Sequence, residues 1–111
     1  MTKLEENDYC VVVYKILNFV YEGLKNGKPV YCDEIWNDGS IFPHLNVRYW
    51  GEIIEKLLYD HYIILNSDKY YADGTELSIE IEYYTITTKG IEYMYKNLEW
   101  IKMLESENRI W

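Results

Sequence analysis

The sequence predicts a single α+β domain over residues 1–111, in the order helix, short strand, helix, helix, two-stranded ribbon and C-terminal helix. Three observations carry this prediction. Apolar residues recur at helical spacing in three long segments, and they alternate with polar residues over 77–84. Turn-forming Asn, Asp, Gly and Pro residues separate these segments. A chain of 111 residues with 49% hydrophobic content is large enough to bury one core.

The first helix is predicted to begin at Asn7 or Asp8, because either side chain accepts hydrogen bonds well at a helix N-terminus. It is predicted to end at Asn26–Gly27, where glycine adopts the left-handed conformation and the following Pro29 prevents the helix from resuming. The predicted buried stripe consists of Val13, Ile16, Leu17, Val20 and Leu24.

A very short strand at Val30–Tyr31 and a short second helix at Cys32–Asn37 are predicted next. Residues 38–45 contain turn residues and a proline, so we expect a connection longer and more irregular than a tight turn. The third helix is predicted to begin after Asn46 and to end near Asp60. Its predicted buried stripe consists of Val47, Trp50, Ile53, Ile54, Leu57 and Leu58.

The ribbon is predicted from two β-rich segments joined by the tight-turn signal Asp73–Gly74. Its first strand covers Tyr62–Leu65, and Tyr70–Ala72 extends or re-enters it. In the second strand the alternation predicts one face on the core and one in water. The apolar residues of that alternation are Leu77, Ile79, Ile81 and Tyr83. The last helix is predicted over 87–106, with an apolar face of Ile91, Met94 or Tyr95, Leu98, Ile101 and Leu104.

The charge of the chain limits its partners. Acidic residues outnumber basic ones by 19 to 11, which gives a net charge of −8. A uniformly acidic surface repels nucleic-acid phosphates and anionic lipids. The apolar runs are too short for a signal peptide or a membrane span, so we expect a cytoplasmic protein without a membrane partner.

Motifs for catalysis or metal binding are not visible in the sequence. Cys10 and Cys32 are expected to be reduced thiols in the core, and they lack the spacing of a zinc site. His44 and His61 are isolated, and no carboxylate stands beside a recognisable nucleophile or phosphate-binding loop. We therefore expect no enzyme activity, no metal and no cofactor.

Two passages carry a resemblance to known proteins. One is Leu57-Leu58-Tyr59-Asp60-His61-Tyr62-Ile63, which looks like a recognition helix leading into a strand. The other is Ile86-Thr87-Thr88-Lys89-Gly90-Ile91-Glu92-Tyr93, a strand that ends in a helix start. With the first helix, they resemble winged helix-turn-helix proteins of the YjcQ-like kind, often encoded in prophages, and are also similar to PadR-like and MarR-like regulators. The resemblance implies a winged-helix fold, duplex DNA as partner and transcriptional control, with the third helix in the major groove.

The outward face of the third helix supplies the candidate DNA contacts. Arg48 can read a guanine edge, and Lys69 on the ribbon can contact a phosphate. Arg48–Glu52 and Glu52–Lys56 are both spaced as i,i+4 ion pairs, so each cation has a carboxylate within reach. The candidate DNA-binding residues are Arg48, Tyr49, Lys56, Tyr59 and Lys69.

The ribbon, or wing, also supports an alternative function. Residues 66–82 hold five carboxylates against the single Lys69, a balance of −4, and the chain contains 13 tyrosines and 4 tryptophans. Acidic and Tyr-rich surfaces suit contact with a basic protein, and such a module can mimic DNA and inhibit a host nucleic-acid-binding protein. The candidate protein-interaction residues are Asp68, Tyr70, Asp73, Glu76, Glu80 and Glu82.

The last helix carries more apolar residues than one core needs. In PadR-like proteins the corresponding helix forms the dimer, and a two-fold homodimer would fit a palindromic operator. An alternative is that this helix folds back on the first helix. The candidate dimer residues are Leu98, Trp100, Ile101 and Leu104.

Overall fold

In the part of the chain that the structure describes, four helices and a three-stranded sheet form the fold. The computed structural model describes residues 4–5, 8–37, 45–71, 73–74 and 77–109. The elements are α1 (Tyr9–Lys25), β1 (Val30–Tyr31), α2 (Cys32–Asn37), α3 (Val47–Tyr59), β2 (Ile63–Tyr71), β3 (Ser78–Ile86) and α4 (Thr88–Arg109). The sheet is antiparallel with the strand order β1-β3-β2, and β2 and β3 form the wing. The predicted element order and the winged-helix fold are confirmed.

Helix α1 begins and ends close to the predicted residues. Asp8 occupies the N-cap position, but its carboxylate accepts a bond from the backbone N–H of Glu5 at 2.8 Å and does not cap the helix. At the other end, Gly27 has a φ of 68°. The Lys28 N–H donates to the carbonyl of Gly23 at 2.9 Å, which satisfies a carbonyl that the helix leaves unpaired. The alternative cap, Asn7, lies outside the described residues.

The core lies between α1, α2, α3, the first half of α4 and the base of the sheet. Two predicted stripe residues do not belong to it, because Leu24 and Val47 are exposed at the ends of their helices. At these two helix ends, no element among the described residues covers the apolar stripe. The buried apolar residues are Val12, Val13, Ile16, Leu17, Val20, Val30, Ile35, Ile53, Ile54, Leu57, Ile63, Tyr84, Ile86 and Met94.

Helix α3 begins as predicted. The Asn46 side-chain oxygen accepts bonds from the backbone N–H groups of Arg48 and Tyr49 at 2.9 and 3.2 Å. Two otherwise unpaired donors of the first turn are thereby satisfied. The predicted irregular connection lies almost wholly outside the described residues, since only Leu45 of that segment is described.

The predicted facing of β3 is wrong. Leu77 and Ile79 are exposed, whereas Tyr84 and Ile86 are buried. The residues of β3 that share a face with Ile79 point away from the core. The opposite face, which carries Tyr84 and Ile86, meets the core at the base of the strand and becomes polar further along the wing. Strand β2 is continuous over nine residues, and the Tyr71–Ser78 pair leaves a connection longer than the predicted tight turn. Gly74, within that connection, has a φ of 72°.

The junction between β3 and α4 is closely packed. The Thr87 hydroxyl oxygen accepts a bond from the Gly90 N–H at 2.9 Å and donates to the carbonyl of His61 at 2.7 Å. Helix α4 extends to Arg109, three residues beyond the predicted end. Of the two predicted alternatives for its buried face, Met94 is buried and Tyr95 is exposed. Across the described residues, no helix is both long and apolar enough to cross a membrane.

Candidate interaction surface of the third helix and the wing

The outward face of α3 is formed by residues spaced three and four apart. Arg48 lies at its start with its side chain 89% exposed, and Tyr59 at its end is 84% exposed. The predicted Arg48–Glu52 ion pair is present, with Nε and Oε1 at 3.5 Å. A pair this exposed contributes little stability, so Arg48 can exchange Glu52 for another acceptor at small cost.

Lys56 flanks this face and interacts with α1. Its ammonium lies 5.8 Å from the centroid of the Tyr9 ring, within the range of a cation–π contact. The predicted Glu52–Lys56 ion pair is wrong, because the described side chains of these two residues do not form an ion pair with each other. Burial, followed by the neighbouring Tyr93, raises the pKa of Tyr9 to about 12, so its phenol stays neutral at physiological pH.

Tyr49 differs from the other predicted DNA contacts. It is half-buried and packs against the core, and this burial, with the charge of Asp8, raises the pKa of its phenol. Arg48 and Tyr59 share the exposed face with Glu52 and Glu55, while Tyr49 lies to its side.

A shallow depression at the end of α3 shows the electrostatic character of this face. Three carboxylates and one ammonium line it, together with the exposed Tyr59. The excess of carboxylates disfavours a phosphate in this position. The residues that line it are Glu52, Glu55, Lys56, Tyr59 and Asp60.

The wing is acidic over its described length. Lys69 lies directly opposite Glu80 on the neighbouring strand, and both side chains are exposed. Cross-strand pairs of opposite charge attract each other, so the only cation of the wing faces a carboxylate. Asp68, Asp73 and Glu82 are also exposed, and Glu76 lies outside the described residues.

The other face of the wing is apolar, a feature that the sequence reasoning missed. Tyr70 lies opposite Ile79, and these side chains are 53% and 67% exposed. Asp68 lies opposite Ile81 next to them, and Leu77 at the start of the strand is 73% exposed. The alternation was a correct signal for a two-faced strand, but its apolar side was assigned to the core. We name Asp68, Tyr70, Leu77, Ile79 and Ile81 the wing face.

Contacts at the base of the wing fix its position relative to α3. The Lys89 ammonium donates to the carbonyl of Asp60 at 2.9 Å, at the C-cap of α3. It also lies 4.9 Å from the centroid of the Tyr62 ring, which stacks on Tyr93 at 4.1 Å. His61, between them, has a φ of 60°, so it makes the sharp reversal from helix to strand. One lysine of α4 therefore ties together the end of α3 and the start of the wing.

The predicted dimer residues lie on the second half of α4. Leu98, Ile101 and Leu104 are half-buried, and Trp100 is exposed but contacts the edge of the Tyr93 ring at 6.3 Å. From Leu98 to Ser106 none of the described side chains is buried. This stripe continues the line of Met94 and the buried Asn97, so it is the core-facing side of α4 beyond the core.

The cysteines lie apart from these surfaces. Both Cys10 and Cys32 are half-buried thiols, and burial raises the pKa of Cys10. Burial and a hydrogen bond with Cys32 raise the pKa of Tyr84. Within the described parts of the chain, no group of three or more His, Cys, Asp or Glu side chains is placed to hold a metal ion.

Comparisons with known proteins agree with this fold. A family model described as YjcQ protein matches residues 14–110. Among solved structures, the chain is similar to smu.1704 from Streptococcus mutans UA159, with 19% sequence identity and a TM-score of 0.62. The match covers 93% of this chain and 88% of that one. At this identity the likeness establishes the fold alone, and no curated protein matches the chain.

Proposed function

Since the chain belongs to the YjcQ protein family and has a winged-helix fold, we propose that it is a cytoplasmic DNA-binding transcriptional regulator of mobile-element type, without enzyme activity. The observation that carries this proposal is the exposed face of α3. In a winged helix this helix enters the major groove. Here it presents Arg48 at its N-terminal end, where recognition helices contact bases, and Tyr59 at the other end.

The mechanism follows from the charge of the surface. Arg48 donates two hydrogen bonds to a guanine edge, at its O6 and N7 atoms, while Lys69 contacts a phosphate. With few phosphate contacts and a net charge of −8, binding to random DNA is weak, so specificity depends on base contacts. A homodimer through α4 places two such helices on a palindromic site and represses by occupying a promoter.

A fluorescence-anisotropy titration with genomic fragments and a random duplex, at about 50 and 200 mM salt, tests this function. Saturable binding to a particular fragment that weakens with salt is expected. Arg48→Ala should weaken that binding by about 5- to 150-fold, the range of one bidentate base contact. Lys25→Ala is the matched control, because Lys25, like Arg48, is an exposed cation in a local ion pair, with Glu22 at 2.7 Å.

The control is expected to bind nearly as well as the unaltered protein, because Lys25 lies at the end of α1, away from α3. Equal losses in the two variants would contradict base reading by Arg48. Absence of binding to every fragment at the lower salt would exclude the DNA-binding function, since attraction to phosphates is strongest there.

A second function is favoured by the exposed carboxylates of α3 and the wing. We propose as the alternative that these two elements form a protein-interaction module that engages a basic partner, including a DNA-binding protein that it blocks as a DNA mimic. The elements that would lie on DNA are acidic, and the wing face offers apolar area for a protein contact. Saturable binding of a lysine-rich peptide, without DNA binding at the same salt, would favour this alternative.

A further inference from the structure

Strand β2 lies at the edge of the sheet. It is nine residues long, and in the sheet built by the described residues it pairs with β3 on one side only. The backbone N–H and C=O groups on its other side therefore lack strand partners within that sheet. Long edge strands of this kind bind extended chains unless a proline, a bulge or charged side chains protect them. The nine residues contain no proline, their pairing with β3 is continuous, and their two charged residues, Asp68 and Lys69, are of opposite sign.

The side chains of this edge provide apolar area. Ile64 and Leu65 are exposed near its base, and Tyr70 and Tyr71 are exposed near its end. Strand pairing places Tyr70 beside Ile79, so the apolar area continues from the edge strand onto β3. Exposed apolar patches rimmed by charged residues are typical of protein contact sites.

The charges of the wing select the partner. Asp68 belongs to the wing face, Glu80 and Glu82 lie on the opposite face of the wing, and Asp73 lies in the connection between the strands, against the single Lys69. A second copy would bring an equally acidic wing to this edge, and like charges in neighbouring strands destabilise the pairing. Because Asp68 and Tyr70 are two residues apart on the same face of β2, a partner strand with a basic and an apolar residue two positions apart places its cation beside Asp68 and its apolar side chain beside Tyr70.

We propose that the wing binds an extended, basic and apolar segment of a partner protein as an additional strand on the open edge of β2. This inference rests on the protein-interaction function proposed above and names its binding mode. Backbone hydrogen bonds supply affinity, and the alternation on the wing face selects side chains, as in other cases of strand addition. The acidic wing would then bind a strand of the partner protein, in addition to repelling nucleic-acid phosphates.

Two synthetic peptides test this inference on the full chain. In the first, the repeat Lys-Lys-Val-Ile places lysine and an apolar residue in turn along each face of the extended chain; the second has the same side chains but carries N-methyl groups on alternate residues, which removes backbone donors. Anisotropy is expected to show saturable binding of the first peptide at about 50 mM salt and binding of the second at least about tenfold weaker, since two hydrogen bonds are lost. Amide exchange measured by NMR should slow at every second residue of β2 when the first peptide is bound.

Substitutions on the wing face give the second readout. Tyr70→Ser and Ile79→Ser are each expected to weaken binding of the first peptide by about tenfold, whereas Tyr95→Ser on α4, a tyrosine that is 50% exposed against 53% for Tyr70, leaves it unchanged. Equal affinity for both peptides would overturn strand addition and leave an acidic module that binds by charge alone. If neither the first nor the second peptide binds, both the strand addition and the protein-interaction function are overturned.

Discussion

Gly90 occupies a position where a side chain would collide with the backbone of a neighbouring element. A Cβ at this residue would meet the carbonyl oxygen of Tyr62, and it would lie 2.8 Å from Cγ1 of Ile86. The carbonyl belongs to the turn that Thr87 and Lys89 hold in place, so it has little freedom to move. The absence of a side chain at Gly90 therefore allows α4 to start directly against the base of the wing.

The first prediction is that Gly90→Ala destabilises the protein by about 3 kcal/mol, the upper part of the range for overpacking a closely packed site. Urea unfolding, followed by far-UV circular dichroism, measures the change. Gly51→Ala is the matched control, because a Cβ at Gly51, in the middle of α3, meets nothing within 4 Å. That variant should gain about 0.5–1 kcal/mol from helix propensity. Equal stability of the two variants would contradict the close approach.

At the same scale, the sequence predicts residues well where local chemistry decides them. Asn46 and Gly27 were identified correctly because capping and left-handed backbone depend on the residue itself. Asn97 was missed as a buried residue. Its Nδ2 donates to the carbonyl of Tyr93 at 2.8 Å, one turn back in α4, whereas its buried Oδ1 has no hydrogen-bond partner among the described residues. A polar residue gives no apolar signal in the sequence, so its burial could not be predicted.

The order of the elements was predicted correctly. The orientation of the wing strand, that is, which of its faces meets the core, was predicted wrongly. Period-two alternation shows that a strand has two different faces, and it leaves open which face meets the core. Near the base of β3 the core contacts Tyr84 and Ile86, so the apolar residues of the other parity face outwards over the whole wing. The packing of the base of the wing against the helices determines which face meets the core. The sequence of the strand alone does not contain this information.

The second prediction tests this orientation with two isoleucines of the same wing. Ile79→Ala should change the free energy of unfolding by less than about 0.5 kcal/mol, because Ile79 is exposed and leaves no cavity. Ile63→Ala, a fully buried position at the base of β2, should cost about 2–5 kcal/mol. Urea denaturation of both variants gives the comparison. A loss of more than about 2 kcal/mol for Ile79→Ala would show that the wing face is covered in solution.

The whole molecule is longer than its core. It measures 67 × 28 × 24 Å with a radius of gyration of 16.6 Å, whereas a compact domain of this length has a value of about 13 Å. Every described side chain from Ser67 to Glu80 is exposed, and none from Leu98 to Ser106 is buried. The wing and the second half of α4 therefore lie beyond the core, so each can accept a partner without disturbing the core.

The third prediction concerns the second half of α4. Leu98, Ile101 and Leu104 continue the core-facing line of the helix, but no neighbour among the described residues buries them fully, so a second copy of α4 is expected to cover them. Light scattering coupled to gel filtration should give twice the 13.5 kDa mass of one chain. The double variant Ile101→Asp and Leu104→Asp should give the mass of one chain, since burying two carboxylates in an apolar contact is costly.

Met103→Asp is the matched control for this prediction, because Met103 is exposed on the opposite side of α4 and a charge there stays in water. Circular dichroism should show that both altered proteins remain folded, since neither changes a buried residue. A single-chain mass for the unaltered protein at its highest soluble concentration would contradict the dimer. It would also remove the two-fold symmetry from the proposed DNA complex, so that one α3 would have to supply the whole of its sequence specificity.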